Sequence, residues 1–62
     1  MIEVYLMVPS SGGLPEYRDT VILPGVPRVG ETVRFYVNRG PRLMTVREVI
    51  WDTHRNMAEV RA

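Results

Sequence analysis

Residues 42–51 read RLMTVREVIW, and the fold turns on whether this stretch is one strand or something else. Even positions carry Met44, Val46, Glu48 and Ile50; odd positions carry Leu43, Thr45, Arg47, Val49 and Trp51. Neither set is uniformly apolar, and no helical stripe replaces the alternation. The many β-branched and aromatic residues favour extended structure. A single long strand with a bulge at Arg47–Glu48 restores one clean face. Met44, Val46, Val49 and Trp51 then face a core, Arg47 and Glu48 lie outside, and Leu43 and Ile50 are left on the far side.

Upstream, residues 25–37 (GVPRVGETVRFYV) begin as a loop and end as a strand. Gly30–Glu31 reads as a tight turn, with Gly30 free to take positive φ. From Thr32 the chain alternates: Val33, Phe35 and Val37 inward, Arg34 and Tyr36 outward. The stiff and flexible residues ahead of the strand fix where it starts, since a slip of one residue would swap its faces. Asn38–Pro41 is a turn, and so is Asp52–Asn56, where Asn56 suits a left-handed position. Met57–Arg61 reads as the last strand, with Val60 inward and Ala58 beside it.

At the other end, Ile2–Val8 alternates, with Ile2, Val4, Leu6 and Val8 on one face and Glu3, Tyr5 and Met7 on the other. Residues 9–20 (PSSGGLPEYRDT) read as a long loop, from which Leu14 and Tyr17 fold back onto the core. Val21–Pro24 is a short strand that Pro24 confines to an edge. The sum is an all-β chain: one domain over residues 1–62, with five antiparallel strands in a small barrel or strongly bent sheet.

The run VPRVGETVRF, a turn, TVREVIW, a further turn and MAEVR resembles the SH3-like small-barrel superfamily. The likeness covers Pro27 to Arg61. It lies in a Val-Gly-Glu-x-Val entry to a strand and a bulged partner ending in Trp51. The chain also resembles short bacterial or phage proteins of this layout. The superfamily hosts many functions, so the likeness implies a fold and little more.

Sixty-two residues bury only about 60% of the surface that the unfolded chain exposes. Such a core rarely supplies more than about 3–5 kcal/mol. With no cysteine and one histidine, neither disulfides nor thiolate or histidine-rich metal sites can reinforce it. A partner chain is the remaining common aid. The basic residues are eight arginines, set among seven carboxylates for a net charge of +1. That balance suggests a diluted field rather than a strongly basic one. The longest near-apolar run, Val4–Pro9, is far short of the ~20 residues a membrane helix needs. The first residues lack a basic leader, so the expected setting is cytoplasmic, with no membrane association.

No pattern of catalytic residues emerges. His54 beside Asp52 lacks further ligands or a nucleophile, and Ser10 and Ser11 lack a nucleophile elbow. No enzymatic activity and no cofactor are expected. The informative feature is a second apolar face, formed by Tyr5, Met7, Tyr36, Leu43 and Ile50, with Trp51 at its rim. It points to a module that self-associates into a homo-oligomer or docks on a protein partner. The alternative is nucleic-acid binding through Arg34, Tyr36, Arg39, Arg42 and Trp51, basic residues interleaved with aromatics.

Overall fold

The computed structural model describes residues 1–62. Ile2–Val8 forms β1, Tyr17–Leu23 β2, Thr32–Val37 β3, Gly40–Thr45 β4, Glu48–Asp52 β5 and Met57–Arg61 β6. Four strands make one sheet in the order β2-β1-β6-β5, and β3 pairs with β4 in a second sheet. The all-β expectation holds, and of the two forms expected the chain takes the open one, since neither sheet closes into a barrel. No helix forms, so none is long and apolar enough to cross a membrane.

The count is six strands rather than five because Arg42–Trp51 is two strands. Val46 turns both of its backbone groups toward the β3 side: its N–H donates to Glu31 O (2.9 Å) and its C=O accepts from Gly30 N–H (2.8 Å). The next residue, Arg47, donates its N–H to Arg61 O (2.8 Å), at the end of β6. The chain therefore changes sheets at the Val46–Arg47 peptide. A corner of this kind breaks the alternation just as a bulge does, so the two are indistinguishable by pattern. Met44 and Val46 are buried as expected, whereas Val49 is half-buried and Trp51 exposed.

Residues 9–20 are not one loop. Tyr17–Thr20 continues β2, paired with β1 from Val8↔Tyr17 to Ile2↔Leu23. Past Pro9 and Pro15 the same register resumes at Ser11↔Leu14. There the N–H of each residue donates to the other's carbonyl (3.2 and 2.9 Å). Between them Gly12 and Gly13 both have positive φ (54° and 80°), as a type I′ hairpin turn requires. β1 and β2 are thus the legs of one long hairpin, interrupted where two prolines lack an N–H. β1 and β6 run parallel, with Val4↔Ala58 and Leu6↔Val60 in register, so the sheet is not antiparallel throughout.

The two sheets face each other across one core of Val4, Leu6, Val8, Phe35, Met44, Val46 and Val60. Phe35 carries the far side of it. The Tyr17 ring lies 4.6 Å from the Phe35 ring, and the Arg42 guanidinium lies 5.4 Å from it. Tyr17 thus pins β2 to the second sheet. The core is small, and the exposed surface is 4631 Å². Size scaling leads to about 4,100 Å² for a chain of this mass. The surplus reflects two open sheets whose outer faces no further element covers.

Candidate functional site

Register sorts the side chains. Residues directly opposite in a ladder share a face, and alternate residues point opposite ways. On β3 and β4, Val33, Phe35 and Val37 lie opposite Met44, Arg42 and Gly40, and this face meets the core. The other face carries Arg34, Tyr36, Pro41 and Leu43. Tyr36 pairs with Pro41 and Arg34 with Leu43, so Tyr36 and Leu43 are diagonal neighbours. Tyr36 is 69% exposed and Leu43 64%. This two-stranded ribbon has a bare outer face and two free edges.

Tyr5, Met7 and Ile50 lie on the outer face of the other sheet. Tyr5 pairs with Glu59 and Met7 with Arg61, while Ile50 pairs with Glu59. All three are half-buried in the single chain. The Arg55 guanidinium lies 5.2 Å from the Tyr5 ring, and Arg61 is tied to Glu59 (2.5 Å). Long charged side chains shelter these residues with their stems. Trp51 is 69% exposed. It sits opposite Ala58, which puts it on the inward face of edge strand β5, where the narrower second sheet does not cover it. The expected contact residues therefore fall in three places: Tyr36 with Leu43, Tyr5 with Met7 and Ile50, and Trp51 alone.

The arginine–aromatic set is also divided. Arg34 and Tyr36 share the ribbon's outer face, and Arg39 lies in the turn at its tip. Arg42 is on the opposite face, over Phe35, where it donates to Pro15 O (3.2 Å). Trp51 belongs to the other sheet.

Charge is segregated to a degree that the net value conceals. Residues 24–47 hold five arginines and one carboxylate, Glu31, whereas the rest of the chain holds three arginines and six carboxylates. Arg18, Arg55 and Arg61 form the salt bridges, with Glu16, Asp52, Glu48 and Glu59. Arg28, Arg34, Arg39, Arg42 and Arg47 form none. The expected dilution of charge does not occur, because five of the seven acids lie on the four-stranded sheet. Counting charge by segment would have found this, and Arg47 and Pro41 with it.

No three His, Cys, Asp or Glu side chains converge as metal ligands. The proximity of Asp52 and His54 is turn chemistry: Asp52 Oδ1 accepts the backbone N–H groups of His54 (2.9 Å) and Arg55 (3.1 Å). The Arg55 N–H foremost, helped by the His54 N–H, holds the Asp52 carboxyl below its usual range. Asn56 closes the turn at φ 57°, the left-handed position expected of it.

Compared with family models, curated proteins and solved structures, the chain matches none.

Proposed function

We propose that this chain is a non-enzymatic interaction module, an SH3-like small β domain that docks on protein surfaces, its own copies among them. The docking face is the outside of the β3–β4 ribbon, centred on Tyr36, Pro41 and Leu43 and flanked by Arg34. One observation carries the reading: two large apolar side chains, each about two-thirds exposed, sit side by side on a ribbon with nothing across it. Apolar patches of this kind mark contact surfaces. A standard footprint of about 800 Å² per partner would take in most of the ribbon's face. Burying Tyr36 and Leu43 of both copies contributes about 4–8 kcal/mol, and ordering costs are set against it. Self-association is therefore weak, in the range of about 0.1–1 mM.

Light scattering over a concentration series tests this. The mass rises toward a dimer for the wild type and stays monomeric for a Tyr36→Ser/Leu43→Ser variant of unchanged stability. A wild-type mass that never rises removes self-association.

Five arginines without carboxylate partners support a second reading, single-stranded nucleic-acid binding by Arg34, Tyr36 and Arg39. It ranks lower because Arg42 and Trp51 lie on other faces, which leaves a short track with one stacking ring. It requires oligonucleotide binding that weakens steeply as salt rises.

A further inference from the structure

A cleft of ≈ 580 Å³ runs along β4 on the side away from β3. One wall is β4 itself, from Pro41 to Thr45; the other includes Val8, Leu14 and Ala62. Its charged side chains are Arg42 and Arg47, and no Asp or Glu side chain lines it. Neither arginine forms a salt bridge.

The backbone of that wall is unpaired. Val46 sends both its N–H and its C=O toward β3. Antiparallel ladders alternate in this respect, so Met44 and Arg42 also face β3, while Leu43 and Thr45 turn N–H and C=O toward the cleft. Pro41 falls on the cleft side as well, where its missing N–H costs no ladder bond. The cleft thus offers a strand edge, apolar walls and two uncompensated positive charges.

We infer that this cleft binds an extended acidic peptide, which adds as a strand to the free edge of β4. Edge groups at Leu43 and Thr45 supply the main-chain bonds. Arg42 and Arg47 select glutamate or aspartate side chains, and the walls select apolar ones between them. A nucleic acid fits the cleft less well, because no aromatic ring lines it and a row of amide and carbonyl groups matches a peptide backbone. The inference goes beyond the docking reading: edge and outer face are different surfaces of β4, and a chain that never self-associates still binds the peptide.

The probe is a synthetic, capped hexapeptide of alternating valine and glutamate, titrated into the ¹⁵N-labelled full chain at low salt. Saturable shifts are expected at the Leu43 and Thr45 amides, with binding about tenfold weaker at high salt. Three controls accompany it. Lysine in place of glutamate abolishes binding. N-methylation of alternate peptide amides abolishes it too, because it removes the edge bonds. Arg47→Glu, at an exposed position, abolishes it without changing the protein's spectrum elsewhere. The inference is overturned by no saturable shift, by shifts centred on β2 or β5, or by equal binding of the lysine or N-methylated peptide. A single-stranded oligonucleotide that moves the Leu43 and Thr45 amides where the peptide does not would also overturn it.

Discussion

Leu6 shows how little separates this fold from its unfolded chain. It is fully buried at the centre of the only core, as are Val4 and Val60. Leu6→Ala removes about 2–4 kcal/mol, which is most of the stability that a core of this size supplies. Urea titration followed by circular dichroism should find the variant's midpoint far below that of the wild type, and an unchanged midpoint would contradict that. Leu43→Ser, on the bare ribbon face, should change stability by less than about 0.5 kcal/mol. Asp52 adds a pH dependence whose sign is fixed. Its carboxyl titrates below its usual value in the folded chain, so its contribution is complete above the unfolded carboxyl pKa. It fades as pH falls through the lowered folded value. Asp52→Asn should therefore be less stable than wild type near neutrality, and the gap should close in acid. A gap that widens in acid refutes the assigned role.

At the scale of elements, patterns that repeat within one strand were legible and those that depend on the partner were not. Ile2–Val8 and Thr32–Val37 alternate cleanly, and both faces follow from the residues alone. Gly30 takes φ 94° at the turn where Glu31 N–H donates to Arg28 O (3.0 Å), as its position before Thr32 implies. Arg42–Trp51 reads as one bulged strand because a corner and a bulge leave the same trace. β2 is longer than the sequence implies: the prolines, glycines and serines of residues 9–20 read as a loop, yet Arg18 and Asp19 pair with β1, and an edge strand tolerates charge. The missed signal was Gly12–Gly13, a hairpin turn dipeptide. It lies at the midpoint of a ladder that pairs Ile2 with Leu23 and Ser11 with Leu14. Gly12→Asn should preserve this hairpin, since asparagine suits the first position of the turn. Gly12→Val should cost about 1–2 kcal/mol. Thermal unfolding distinguishes the two, and equal melting temperatures would argue against the turn type.

At the scale of the whole molecule, opposite charge on the two sheets is the property that composition hid. A net charge of +1 argued against a strong field, yet the basic segment and the acidic sheet are different parts of the fold. The exposure of two of the five residues of the expected apolar face was legible as well. Tyr36 and Leu43 stand exposed as their alternation implied, whereas Tyr5, Met7 and Ile50 are sheltered by arginine and glutamate stems that no periodicity reveals. Self-association should centre on the ribbon rather than on the larger sheet. The most direct test follows backbone amide shifts of the full chain from about 50 µM to about 2 mM, a range set by the weak affinity expected. Concentration-dependent shifts should appear at Arg34, Tyr36 and Leu43 and vanish in the Tyr36→Ser/Leu43→Ser variant. A spectrum that stays constant throughout, or shifts confined to Tyr5, Met7 and Ile50, would contradict it.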